Sequence, residues 1–222
     1  MRLYAITDTM SLSPDANTAG DALVALASQW AAGGVEVIQI REPQLSSGAL
    51  EILARRIIAA VREAQAGVNP DSPTKILINR RTDVALAAGA DGVHLPGTGA
   101  LTPAELRRLY DGCTRKPPIV SVACHSVGDV ERARDAGATM ALFAPVFGKV
   151  LRPDPGHSAS STGFLPGVGL AALQAACRAA GTMPVFALGG VTRQNAAACI
   201  EAGAAGVAGI RIFQSGEWQS GE

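Results

Sequence analysis

The chain has 222 residues, 48% of them apolar, 17% charged and 4% aromatic, and 19 basic side chains balance 19 acidic ones. Such a chain is too apolar for disorder and long enough to bury a large core, in one barrel domain or two smaller ones. Its net charge of zero supplies no field for a nucleic-acid backbone or an anionic membrane, so neither partner is expected.

Short β-branched runs predict strands over 3–7, 35–40, 75–79, 92–95, 119–123, 139–143, 184–188 and 206–210. Ala-rich amphipathic runs between them predict helices near 19–32, 46–66, 81–88, 102–110, 126–136, 169–180 and 192–202. Alternation of this kind means parallel strands joined by crossover helices. An Ala-Gly echo recurs where helix gives way to strand, at Gly33-Gly34, Gly89, Gly137 and Gly203, where a left-handed cap favours glycine. Eight strands favour closure into a (β/α)8 TIM barrel, one α/β domain over 1–222. The open doubly wound sheet is the alternative, but no Gly-x-Gly-x-x-Gly follows any strand.

Two stretches break the rhythm. Residues 144–168 form a long loop rich in Pro, Gly and Ser, of the kind that is functional or disordered. A polar tail over 214–222 leaves the eighth helix short or missing. A barrel wall left bare there would need cover from the tail or from a second copy of the chain, a homodimer. Cys113, Cys124, Cys177 and Cys199 show no Cys-x-x-Cys spacing, so neither a zinc site nor a disulfide framework is indicated. Met1 leads almost directly into an apolar strand, with no basic region ahead of a long apolar run, and no apolar stretch reaches ~18 residues. A cytoplasmic location without signal peptide or membrane span is expected.

In a closed barrel the site forms at the C-terminal strand ends. Those ends offer Gln39, Arg41 and Glu42 after strand two, Asn79 and Arg80 after strand three, and His94 on strand four. They also offer His125 after strand five, Lys149 beyond strand six, Gly189-Gly190 after strand seven, and Gly209, Ile210 and Arg211 after strand eight. The rim is more basic than the chain as a whole and suits a small anion. Gly189-Gly190 runs straight into a helix start, so backbone N–H groups and the helix dipole favour a phosphate there; the pair would otherwise only make a tight turn. Glu42 is a general base or else half of an ion pair with Arg41 that braces the mouth. His125 is the best acid–base candidate, because imidazole exchanges protons near neutral pH; the alternative is a neutral ring bonded to a backbone carbonyl. Strand alternation sends the Cys124 thiol to the other face; His94, mid-strand, is more often a buried layer residue than a reactant. Asn79-Arg80-Arg81 and Leu95-Pro96-Gly97-Thr98-Gly99 contain no acid, so no metal site is expected.

Several runs stand in order along the chain: Ile38-Gln39-Ile40-Arg41-Glu42, Ile78-Asn79-Arg80-Arg81-Thr82-Asp83-Val84-Ala85-Leu86, Ala90-Asp91-Gly92-Val93-His94-Leu95, His125-Ser126, Pro145-Val146-Phe147 and Ala187-Leu188-Gly189-Gly190-Val191. In combination they resemble the thiamine phosphate synthase / TenI superfamily over nearly the whole chain. The resemblance implies a barrel that binds a thiazole phosphate at the last two strand ends. In the synthase branch it implies joining of a pyrimidine diphosphate to the thiazole phosphate with magnesium. The synthase pattern has a lysine where this chain has Pro43, a magnesium aspartate at Arg80, an acidic ligand within the Pro96–Gly99 loop, and a serine at Ala123. The TenI branch is similar in lacking the acidic pair and in its Leu-Pro-x-x-Gly loop. It implies a metal-independent thiazole tautomerase, with His125 and Glu42 moving a proton. A thiazole tautomerase without cofactor is therefore the first expectation. A thiamine phosphate synthase, with magnesium, is the second, and a non-catalytic binder of a phosphate ligand the third.

Overall fold

Alternation decides which side chains of each strand enter the barrel. A computed structural model describes residues 1–13, 15–66, 73–99, 101–114, 116–150 and 163–216, with backbone alone for 16, 149 and 150. Eight parallel strands close in the order β1 (Arg2–Ile6), β10 (Gly206–Gly209), β9 (Val185–Ala187), β6 (Met140–Phe143), β5 (Ile119–Cys124), β4 (Gly92–Leu95), β3 (Lys75–Asn79) and β2 (Val37–Ile40). These are the strands expected from the sequence, each within two residues at either end. Helices α1 (Ala16–Ala32), α2 (Ser47–Ala64), α3 (Thr82–Ala88), α4 (Pro103–Asp111), α5 (Val127–Asp135), α6 (Gly169–Ala180) and α7 (Arg193–Glu201) form the crossovers. In α2, Leu50, Leu53, Ala54, Ile57 and Val61 are buried at the three- and four-residue spacing of one helical face. Of the expected caps, Gly34, Gly89, Gly137 and Gly203 take positive φ. Gly33 stays at φ −80° because it is still the last helical turn, and Gly34 makes the reversal.

Inward positions fall into an apolar set and a polar set. Tyr4, Ile6, Val37, Leu77, Met140, Leu142, Phe186 and Ala208 pack together inside the barrel. Above them Gln39 Nε2 donates to Asn79 Oδ1 (3.2 Å), and the Tyr4 hydroxyl lies 3.0 Å from Gln39 Oε1 and 3.3 Å from Ser121 Oγ. His94 Nδ1 lies 2.9 Å from the same Ser121 Oγ. Each buried polar group thus finds a partner on a neighbouring strand. His94 is the buried layer residue that the alternation implied. Burial first, and then the charges of Arg41 and Arg80, push its imidazole down to about 3.

The loop after β6 and the covered wall depart from expectation, while the eighth helix is short, as expected. The loop after β6 carries two short antiparallel strands, β7 (Lys149–Val150) and β8 (Phe164–Leu165); 151–162, with His157, lie outside the described residues. A four-residue helix α8 (Arg211–Gln214) follows β10. The wall beside it is not bare: Ile212 and Phe213 are buried, and Trp30 of α1 donates its indole N–H to the Phe213 carbonyl (3.2 Å) with the rings edge to face at 6.2 Å. Gly209 permits this fold-back, since a Cβ there would lie 2.4 Å from Ile212 Cγ2.

Truncating the α8 anchor should be costly. Phe213→Ala or Trp30→Ala is expected to destabilise the fold by about 3–5 kcal/mol, read as a lower urea midpoint at unchanged slope. The neutral His94 makes a second prediction. The folded chain refuses a proton that the unfolded chain binds below the ordinary value of 6.5, so His94 subtracts stability as pH falls from there toward about 3. His94→Gln should flatten the acid limb of a stability–pH curve. The His94 ring resonances of the native chain should not titrate between about pH 4 and pH 8.

Candidate active site

The C-terminal strand ends open into one cavity of about 1110 Å³. Gln39, Arg41, Asn79, Arg80, His94, His125, Gly189, Gly190, Gly209, Ile210 and Arg211 all line it. The predicted rim is therefore brought together, apart from two residues. The side chain of Lys149 lies outside the described part of the structure. Glu42 is 3% exposed and is absent from the lining.

Glu42 stands apart from the cavity. Its carboxylate accepts from the Thr7 hydroxyl, from the Thr9 N–H (3.0 Å) and hydroxyl, and from Gln44 Nε2 (2.9 Å). Both oxygens are occupied by donors that belong to the fold, which argues against a free general base. The expected Arg41–Glu42 ion pair is not among the contacts of the described residues either. Glu42 does brace the mouth, but through hydroxyls. Thr7, which donates to Glu42, accepts in turn from the Arg41 N–H (2.9 Å).

His125 is exposed at the end of β5. Its Nδ1 lies 2.7 Å from the Ala144 carbonyl, and a carbonyl can only accept, so Nδ1 carries the proton. In the neutral ring Nε2 is then a bare acceptor. The bland reading of this histidine, a ring bonded to a carbonyl, and the catalytic reading hold together: the carbonyl selects the tautomer that leaves a base. Asp129, one helical turn on, accepts from the His125 N–H (2.9 Å) and pairs with Arg132. Cys124 is fully buried behind the strand, and burial pushes its thiol up to about 12.

Gly189 and Gly190 turn the chain from β9 into α7 at φ 90° and 65°. A Cβ on either would sit 2.7 Å from Pro145 or Phe147 of the loop after β6. Asn195 Nδ2 holds the turn by donating to the Gly190 carbonyl (3.0 Å). The N–H groups of Gly189, Gly190 and Val191 donate to no acceptor among the described residues. They line the cavity ahead of a nine-residue helix, an arrangement that favours an anion.

Arg41, Arg80 and Arg211 all line the cavity, and none has a carboxylate partner among the described residues. The lining carboxylate is Asp129, already paired with Arg132. Among the described residues no group of three His, Cys, Asp or Glu side chains is placed to hold a metal, and no helix is long and apolar enough to cross a membrane. Sequence reasoning missed Tyr4 and Ser121, which bond the lining residues Gln39 and His94 from inside the barrel. Their inward parity on β1 and β5 was the signal that could have found them.

Comparison with known proteins gives these features a family. The thiamine monophosphate synthase model, TMP-TENI, matches residues 3–213. A thiamine-phosphate synthase of Methanoculleus marisnigri is 38% identical over 187 residues, 83% of this chain and 77% of that one. A putative thiamine-phosphate synthase of Geobacter sulfurreducens is 36% identical over 206 residues, 93% and 83% of the two chains. The solved thiamine phosphate pyrophosphorylase of Pyrococcus furiosus superposes with a TM-score of 0.72 at 22% identity, over 98% of this chain and 92% of that one, and supports the fold. These names favour the synthase expectation over the tautomerase that was placed first. The chain belongs to the thiamine monophosphate synthase family and is an enzyme of thiamine biosynthesis.

Proposed function

We propose that the cavity takes a thiazole phosphate and that the chain joins it to hydroxymethylpyrimidine diphosphate, releasing the diphosphate, as its relatives' names suggest. The observation that carries this reading is the trio Arg41, Arg80 and Arg211, uncompensated in one cavity of a chain with zero net charge. A volume of about 1110 Å³ has room for two small substrates. The turn at Gly189-Gly190, with Gly209, Ile210 and Arg211 beside it, would hold the thiazole phosphate. Arg41 and Arg80 would face the diphosphate, with Gln39 and Asn79 below them. Lys149 keeps only its place beyond β6.

The resemblance implies magnesium for this condensation. The donor set does not fit it. Magnesium takes carboxylate and phosphate oxygens in octahedral geometry, whereas the cavity offers Asp129, committed to Arg132 and the His125 N–H, beside three guanidinium groups. We route no step through a metal and propose no cofactor.

A second reading, thiazole tautomerisation, is favoured by the tautomer of His125. Its bare Nε2 would take and return one proton while Arg41, which does not pair with Glu42, would hold the substrate carboxylate. The two readings separate in one assay. The purified chain is expected to form thiamine phosphate from the two substrates, with Arg211→Ala lowering kcat/KM roughly tenfold or more through lost charge-assisted hydrogen bonds. Aromatisation of a carboxythiazole phosphate without thiamine phosphate formation, lost ~100- to 10,000-fold in His125→Ala, would replace the first reading by the second. Calorimetric binding of thiazole phosphate with neither turnover would reject both and leave a binding protein.

A further inference from the structure

Arg80 ends β3 in a conformation that side chains rarely adopt. Its φ is +64°, the one positive value for a residue other than glycine among the described residues. A left-handed backbone brings the Cβ too close to the following carbonyl oxygen and is strained. The surrounding backbone holds it there: the Arg80 N–H donates to the His94 carbonyl (2.9 Å) and the Arg81 N–H to the Asn79 carbonyl (2.8 Å). The residue is thus locked to β4 by its own amide while its side chain lines the cavity.

Arg41 lines the same cavity from the adjacent strand β2, and both guanidinium charges act on the imidazole of His94. Among the described residues the groups around them offer no unpaired negative charge. His94 is neutral, Gln39 and Asn79 are amides bonded to one another, and Asp129 is engaged by Arg132. Like charges gathered in one cavity repel each other, the more so as the surroundings are less polarisable than water. That repulsion is relieved by a polyanion and made worse by an added cation.

We propose that this cavity binds diphosphate as the bare polyanion, Arg80 and Arg41 neutralising it directly where the synthase pattern has a carboxylate-held magnesium ion. The inference rests on the condensation reading for the identity of the ligand, and it specifies the form in which that ligand is held. Guanidinium groups suit the task, since they stay charged at all working pH and present paired donors to phosphate oxygens. A magnesium complex of the same ligand carries less negative charge and brings a cation into an already positive cavity.

The test is calorimetric titration of inorganic pyrophosphate into the full chain, once in EDTA and once in excess magnesium. Binding is expected in EDTA, and weaker binding in magnesium. Binding that needs magnesium, or that strengthens tenfold with it, overturns the proposal. Arg80→Gln should weaken binding in EDTA roughly tenfold or more, with no recovery in magnesium; unchanged affinity would overturn the assignment. Arg80→Asp should lose binding in EDTA and regain part of it in magnesium. Melting curves identify any variant that fails to fold, and the wild-type comparison stands without either. Magnesium-dependent pyrophosphate binding by a chain that makes thiamine phosphate would remove this inference and keep the condensation. Metal-free binding by a chain that makes none would do the reverse.

Discussion

Closing eight parallel strands into one barrel leaves their inward side chains nowhere else to go. Every second residue must find its partner inside, and the consequences run through the whole molecule. Low in the barrel the requirement is met by apolar packing around Phe186, Leu77 and Met140. Higher up it is met by a relay of hydrogen bonds from Asn79 through Gln39 and Tyr4 to Ser121 and His94, which crosses five consecutive strands. An unpartnered polar group at that depth would cost ~1–3 kcal/mol, so the relay fixes the amides and the imidazole in place. The floor of the cavity is rigid because the barrel is closed.

The two ends of the barrel treat charge in opposite ways. At the N-terminal end Asp91, 5% exposed, receives Arg62 (2.7 Å), Lys116 (2.8 Å) and the Ile76 N–H (2.9 Å). Burial alone would raise its carboxyl, but the Lys116 hydrogen bond, the Ile76 N–H and the cationic charges outweigh it and hold it below the usual carboxylate range. That charge is neutralised within the fold and serves stability. At the C-terminal end Arg41, Arg80 and Arg211 have no such partner among the described residues. On the proposed reading those charges are left for the ligand, so the asymmetry between the ends would separate structural charge from working charge.

The fold was legible because two periods alternate along the chain and because glycine marks helix ends. Boundaries moved by a residue or two, as at β2, where the pattern from 35 gave a strand from Val37. The rim was legible for a related reason: residues just past the end of each strand tend to face the mouth. Glu42 escaped that rule because the second residue past β2 turns toward Thr7 and Thr9, a choice made by hydroxyls more than 30 positions away in sequence. Tertiary partners of that kind leave no local pattern. The same holds for α8. Ile212 and Phe213 are two apolar residues beside a polar tail, and Trp30, distant in sequence, packs against Phe213 where they fold back.

Glu42 then acquires a role beyond both the general base and the ion pair expected of it. By accepting from Thr7 and Thr9 it ties the end of β1 to the end of β2, and Thr7 passes the constraint on by accepting from the Arg41 N–H. The carboxylate thus sets the backbone from which Arg41 reaches the cavity, without touching it. This bears on the choice between condensation and proton transfer. If Glu42 carried a proton, the site would hold an acid–base pair, and isomerisation would be its natural chemistry. With Glu42 inside a cage of hydroxyls, His125 is left without a carboxylate partner beside Arg41, Arg80 and Arg211, which is why condensation is proposed here ahead of proton transfer.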